Sequence, residues 1–181
     1  MRSDILRVAG RIQDSIVDGP GLRYALFVQG CPYHCEGCHN QKTWDFDGGE
    51  EFTPEQIIEE IRSNPLLTGL TLSGGEPACQ AKALIPIAEF AKSIGLNVWI
   101  WSGNTFEGLL EQNDPDVLAL LRLCDVLVDG PFILAQRTLA LEWRGSKNQR
   151  LVDLPKSLKA GKYVEYREKS YGDEFEVPHW G

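Results

Sequence analysis

The chain has 181 residues, of which 43% are hydrophobic and 24% charged, the ordinary make-up of one soluble globular domain with short appendages. Its net charge of −8 offers no electrostatic footing for nucleic acid or an anionic membrane. The amino-terminal MRSDILRVAGRIQDSIVDGPG lacks the unbroken apolar stretch of a signal peptide, and nothing later is apolar enough to span a bilayer, so a cytoplasmic location is expected.

A first strand is predicted over residues 4–13, followed by a turn at Asp18-Gly19-Pro20-Gly21. Residues 22–29, LRYALFVQ, are rich in strand formers and end at Gly30. Thr53-Pro54-Glu55-Gln56 is a capping box with proline at the first helical position, and the IIEEI that follows carries an apolar stripe at helical spacing. Residues 69–73 (GLTLS) read as a buried strand broken by Gly74-Gly75, and residues 79–94 as a helix stopped by Gly95. Residues 96–101 (LNVWIW) form the next predicted strand, in which Trp99 and Trp101 alternate with Val98 and Ile100 as in a strand buried on both faces. A helix from Asp114-Pro115 to about Leu123 and a strand over 125–129 complete the pattern.

Strands alternating with helices at this spacing predict an α/β fold with a mostly parallel sheet and flanking helices. A complete eight-fold barrel takes about 250 residues. The expected architecture is therefore a partial (β/α) barrel or an open sheet, with its chemistry after the carboxyl ends of the strands. Residues 1–160 would make this domain, and the polar, aromatic residues 161–181 a terminal hairpin or tail.

Three of the five cysteines fall within eight residues, Cys31-Pro-Tyr-His-Cys35-Glu-Gly-Cys38. In a reducing compartment that spacing points to metal ligation rather than a disulfide framework. Thiolates are the preferred ligands of iron–sulfur clusters, and a C-x3-C-x2-C loop lets three sulfurs converge on one cubane whose fourth iron stays open. Structural zinc, with His34 or His39 completing the set, is the alternative on the cysteines alone, although no second ligand pair is present. Cys79 and Cys124 stand alone among apolar neighbours and are expected to be buried thiols.

Ser73-Gly74-Gly75-Glu76-Pro77 follows a predicted strand. Two glycines let the backbone approach a ligand, and the glutamate can accept a hydrogen bond from an ammonium. By itself such a stretch also reads as an ordinary strand-to-helix turn.

The run Val17-Asp18-Gly19-Pro20-Gly21-Leu22-Arg23, then Gln29-Gly30-Cys31, Cys38-His39-Asn40 and Thr43-Trp44, resembles the glycyl-radical-enzyme activases of the radical SAM superfamily over roughly residues 10–155. The resemblance implies a partial barrel of the radical SAM type and a 4Fe-4S cluster held by Cys31, Cys35 and Cys38. It also implies cleavage of S-adenosyl-L-methionine (SAM) to a radical that takes a hydrogen atom from a partner's glycine. Gly74, Gly75 and Glu76 would hold the methionine end of SAM, and Gly37, Cys38 and His39 would lie along the cofactor. Gly37 stands where many members of the superfamily carry an aromatic residue. Ser102 and Asp129, at predicted strand ends, either touch SAM or cap their strands.

Val128-Asp129-Gly130-Pro131-Phe132 and Arg144-Gly145-Ser146-Lys147-Asn148-Gln149-Arg150 resemble the branch that acts on anaerobic (class III) ribonucleoside-triphosphate reductase. That reductase is the partner implied, with flavodoxin or ferredoxin as electron donor. An activase of another glycyl radical enzyme, such as pyruvate formate-lyase, and a non-catalytic zinc-binding adaptor are the alternatives. On residue chemistry alone, 144–150 is a polar, basic loop that is either solvated or engaged in docking the partner or closing the SAM site.

Overall fold

The structure is a computed structural model that describes residues 5–168. Strand β1 (Leu6–Ser15) is followed by β2 (Arg23–Val28), β3 (Glu50–Phe52) and helix α1 (Pro54–Arg62). Then come β4 (Gly69–Gly74), α2 (Ala81–Ser93), β5 (Asn97–Trp101), α3 (Phe106–Gln112) and α4 (Pro115–Leu123). Last are β6 (Val126–Asp129), β7 (Arg150–Asp153) and α5 (Leu154–Ala160). The result is a mixed α/β fold whose seven-stranded, mostly parallel sheet has the order β3-β1-β2-β4-β5-β6-β7.

Strands β2, β4, β5 and β6 run parallel, in registers that set Val28 beside Gly74, Leu72 beside Ile100 and Trp101 beside Val128. The margins are antiparallel, β1 and β3 on one side and β7 on the other. The first of these, β1, matches the strand expected over 4–13, whereas sequence periodicity does not foresee β3 and β7, which are too short to show a pattern. Helix α3 is also absent from the sequence pattern; its signal is local, the Thr105 hydroxyl capping the Gly108 N–H at 3.1 Å. At α1 both halves of the capping box form, Gln56 N–H to Thr53 Oγ1 at 3.3 Å and Thr53 N–H to Gln56 Oε1 at 2.8 Å.

Period-2 alternation divides the two faces of the sheet. Tyr24, Leu26, Val28, Leu70, Leu72, Val98, Ile100 and Leu127 point into one apolar core, packed by Ile57, Leu84, Ile87, Leu120 and Leu121 from the helices. The alternate residues, Arg23, Phe27, Thr71, Ser73, Trp99 and Trp101, occupy the other face. There Trp99 packs with Val126 and Val128, joined by Trp101, Trp143, Leu151 and Tyr166. Two of the isolated cysteines behave differently from one another. Cys124 is buried in the main core as expected, whereas Cys79 is exposed, in a 3-10 turn (Pro77–Gln80) whose Pro77 packs inward instead.

Arg23 is fully buried on the face away from the helices, and burial lowers its pKa to about 10. It donates to Thr71 Oγ1 at 2.7 Å, Asn97 Oδ1 at 2.7 Å, Leu70 O at 2.7 Å and Pro20 O at 2.9 Å. The Pro20 bond ties the Asp18–Gly21 turn to the sheet, and Thr71 extends the tie by donating to Asp18 O. Of the proposed tail, the described part lies along β7, with Glu165 bridging Val152; residues 169–181 fall outside the described residues.

Replacing Arg23 by Met should orphan two buried and two part-buried acceptors and lower the unfolding free energy by about 3 kcal/mol. Urea denaturation checks this, and a loss below about 0.5 kcal/mol would contradict the tie through Pro20 and Thr71.

Candidate functional site

The four parallel strands end together on the face that the helices leave bare. There a cavity of about 390 Å³ opens, lined by Cys31, Cys35 and Cys38 from the loop after β2, by Ser73, Gly74 and Gly75 at the end of β4, by Trp101, Ser102 and Gly103 at the end of β5, and by Gly130 after β6. Brought to one place are therefore three thiols, two glycines and two strand ends that lie far apart in sequence.

The cysteine loop is fixed at its base by backbone and amide bonds. Gly30 N–H donates to Thr43 O at 2.7 Å and Cys31 N–H to Trp44 O at 3.2 Å. The Gln29 amide donates to Lys42 O at 3.0 Å and Asp45 O at 2.7 Å, while Gln80 donates to Gln29 O at 2.8 Å. Within the loop, Gly37 takes φ +74°, and Cys38 N–H closes a turn onto Cys35 O at 3.1 Å. His34, at φ +45°, stacks on Trp44 at 4.7 Å rather than joining the thiols.

All three thiols are half-buried and free of disulfides, and Asn40 N–H points at Cys38 Sγ at 3.4 Å. Burial raises the pKa of the Cys31 thiol. Among the described residues no three His, Cys, Asp or Glu side chains are gathered tightly enough for a single metal ion. Three free thiols on one loop that line one cavity, with a backbone N–H aimed at a sulfur, are the donor set of a cluster that takes one thiolate per iron.

Gly74 and Gly75 have a further reason that only the fold reveals. A Cβ on Gly74, at φ +104°, would meet Val28 N at 2.4 Å, and one on Gly75 would meet Gly30 O at 2.3 Å. Gly75 N–H bonds Val28 O at 2.8 Å and Glu76 N–H bonds Gly30 O at 2.8 Å. The glycines let this turn press against the root of the cysteine loop as well as face the cavity.

Glu76 is buried and lies behind the cavity wall, bonded to residues that line it. It accepts from Gly103 N–H at 2.8 Å, Ser102 Oγ at 3.1 Å and Ala78 N–H at 3.1 Å. The side chain expected to meet an ammonium thus joins the end of β4 to the end of β5, and Ser102, on the cavity wall, is one of its donors.

Asp129 is also buried and off the cavity wall. The antiparallel pairing of β6 with β7 sets Arg150 directly beside it, and Arg150 Nε donates to Asp129 Oδ1 at 3.0 Å. Its other oxygen takes Phe106 N–H at 2.7 Å and Arg150 Nη2. In this arrangement both Asp129 oxygens are engaged at the strand end, by Arg150 and by the Phe106 N–H. These bonds, and a second carboxylate on Glu107, raise the Arg150 pKa. Gly37 lies in the loop turn just off the wall, and His39 lines the cavity.

In the 144–150 segment, Gln149 Nε2 donates to Gly130 O at 3.0 Å and Asn148 Nδ2 to Pro131 O at 2.8 Å, while Ser146 is fully buried. Only Arg144, Gly145 and Gln149 reach the cavity. The segment is therefore neither a bare solvated loop nor wholly a docking surface. Tyr33, Phe132 and Trp143 also line the cavity; none is singled out for the site by the sequence, because isolated aromatics read as packing. Trp101, read as packing too, shares that wall.

An α/β sheet that gathers three free thiols of one loop at the carboxyl ends of its parallel strands is the frame of an iron–sulfur domain. Residues 17–152 match the family described as 4Fe-4S single cluster domain. The anaerobic ribonucleoside-triphosphate reductase-activating protein of Vibrio cholerae is 41% identical over 142 residues, 74% of this chain and 89% of that protein. Its counterparts in Haemophilus influenzae and Escherichia coli K12 are 37% and 35% identical, with 74% of this chain and 89% and 90% of theirs covered. The crystal structure of QueE from Escherichia coli aligns with TM-score 0.45 and 17% identity, over 56% of this chain and 54% of that one. The chain belongs to the 4Fe-4S single cluster domain family, alongside these reductase-activating proteins.

Replacing Gly75 by Ala should drive a methyl group into Gly30 O, cost roughly 1–3 kcal/mol and lower the iron bound per chain after anaerobic reconstitution. Wild-type iron content in that variant would show that the close approach is dispensable. Burial raises the Glu76 carboxyl to about 7 from 4.5, so its contribution to stability is fully present below pH 4.5 and is lost as pH climbs to about 7. In the metal-free chain, Glu76→Gln should flatten that part of the stability–pH curve measured by urea denaturation.

Proposed function

We propose that this protein is a radical SAM activating enzyme that generates a glycyl radical on anaerobic ribonucleoside-triphosphate reductase. The observation that carries the reading is the shared cavity, in which Cys31, Cys35 and Cys38 face Gly74, Gly75 and Ser102 across the carboxyl ends of the parallel strands. Sequence identity of 35–41% to activating proteins of that reductase supports the choice of partner.

On this reading Cys31, Cys35 and Cys38 hold a 4Fe-4S cluster, and the cavity receives SAM. When bound, the reduced cluster and SAM supply a radical that takes a hydrogen atom from a glycine of the reductase. The protein contributes orientation and exclusion of water. Gly74 and Gly75 offer backbone to the methionine end of SAM without a side chain in the way. Ser102 and Gly103 are held in place by Glu76, and Trp101, Phe132 and Trp143 provide apolar wall. Gly37 and His39 belong to the thiol-bearing loop, and Asp129 acts through Arg150 as a strut rather than as a ligand.

The open sheet is read as a partial (β/α) barrel, with residues 1–160 as its domain and 161–181 as an extension. The left-handed cap at Gly161, φ +65°, which ends α5, supports that boundary. No helix among the described residues is long and apolar enough to cross a membrane. A reducing cytoplasm, with flavodoxin or ferredoxin as electron donor, suits thiols that must stay free.

Mixing the reconstituted protein anaerobically with SAM, reductant and the reductase should produce a glycyl radical signal in electron paramagnetic resonance. Cys31→Ala, Cys35→Ala and Cys38→Ala should each abolish both SAM cleavage and the signal. A signal on pyruvate formate-lyase but not on the reductase would overturn the partner, and a colourless zinc-bound protein would overturn the chemistry.

A further inference from the structure

Leu134 starts a 3-10 turn (Leu134–Gln136) in the connection between β6 and β7. Its side chain joins neither apolar cluster of the described residues and stays 42% exposed. It lies instead against Gly37, the residue between Cys35 and Cys38 in the loop. A Cβ built on Gly37 would meet Leu134 Cδ1 at 2.7 Å and Cδ2 at 3.2 Å. Leucine from a remote part of the chain thus fills the space where a side chain at position 37 would go.

Position 37 cannot readily provide its own cover. Its φ of +74° lies in the left-handed region that favours glycine, and the turn from Cys38 N–H to Cys35 O depends on it. Gly37 is itself exposed, so the side that Leu134 occupies is the part of this turn, between two of the three thiols, that a remote side chain shields from solvent.

A three-residue 3-10 turn does not hold itself in place. The 144–150 segment does so here. Ile133 N–H donates to Ser146 Oγ at 3.2 Å, Lys147 N–H to Gln136 O at 2.9 Å, and Ser146 Oγ donates to Asn148 Oδ1 at 2.6 Å. Arg137 and Ser146 also form a β-bridge. Together with the bonds from Asn148 and Gln149 to Pro131 O and Gly130 O, these fix both ends of the stretch that carries Leu134. Such a framework is more than an exposed leucine would need for its own sake.

We propose that Leu134 is an apolar cover over the Cys35–Cys38 turn, positioned by Ser146, and that it slows the loss of iron from the cluster to solvent. The inference rests on the reading that these thiols hold a cluster. It gives the Ser146–Gln149 stretch a role toward the cysteine loop that requires no contact with a partner.

The test uses the full-length protein, reconstituted anaerobically, and follows iron release to an excess of a coloured ferrous chelator. Leu134→Ala should release iron several-fold faster than wild type from an equal starting content, and Leu134→Met should restore the slow rate. Ser146→Ala, which frees the turn without touching the thiols, should move in the same direction as Leu134→Ala. Leu139→Ala removes a leucine that is 93% exposed and should leave the rate unchanged. Equal rates in wild type and Leu134→Ala overturn the proposal, as does equal acceleration by Leu139→Ala. A wild-type chain that takes up no cluster overturns the cluster reading together with this one.

Discussion

The candidate site depends on one close approach of backbone to backbone, where Gly74 and Gly75 leave β4 against Val28 and Gly30 at the end of β2. The parallel ladder continues past both strands through Gly75 N–H to Val28 O and Glu76 N–H to Gly30 O, each at 2.8 Å. No side chain fits between the two segments. The root of the loop that carries the thiols is therefore bonded directly to the turn that faces them. Glu76 carries the same connection to β5 through Ser102 and Gly103, and Asp129 carries it from β6 to β7 through Arg150. Two buried carboxylates, each fully engaged by donors, thus make one rigid floor out of four strand ends.

Stability and chemistry are assigned to opposite faces of the same strands. Leucines, isoleucines and valines at alternate positions bury their area against the helices, which is where the hydrophobic effect acts most strongly. The other face is then free to carry groups of little use to an apolar core: the Thr71 and Ser73 hydroxyls, the Arg23 guanidinium and the indoles of Trp99 and Trp101. Arg23 is the costly one, a buried cation satisfied by neutral acceptors, and it anchors the Asp18–Gly21 turn whose Asp18 lines the cavity. A polar residue buried in the sheet thereby shapes the cavity wall through Thr71 and the Asp18 turn.

Much of this is legible in the amino-acid order alone. The C-x3-C-x2-C loop, the glycine pair, the capping box at Thr53 and the strand–helix alternation are patterns set by neighbours within a few residues. Local sterics and hydrogen bonding decide them, so the central parallel strands and the three thiols stand out in the sequence itself. The short margin strands β3 and β7 do not, because a three- or four-residue strand has no period to read and takes its identity from the edge it joins. Cys79 is misleading for a related reason, since apolar neighbours in a short turn do not say which of them faces inward.

Sequence by itself determined which residues have the chemistry for a thiolate-held cluster, and that they sit on a loop after a strand. Tertiary structure alone decided what each polar side chain is committed to. Asp129 looks free until β7 brings Arg150 alongside; Glu76 looks free until the Ser102–Gly103 turn closes over it. Gly37 stays exposed, yet the side where its side chain would stand is filled by Leu134 from nearly a hundred residues away. A side chain's type is local information, but its partner is chosen by strand order and register. Those come from how the whole chain buries its apolar face, which no short stretch of sequence contains.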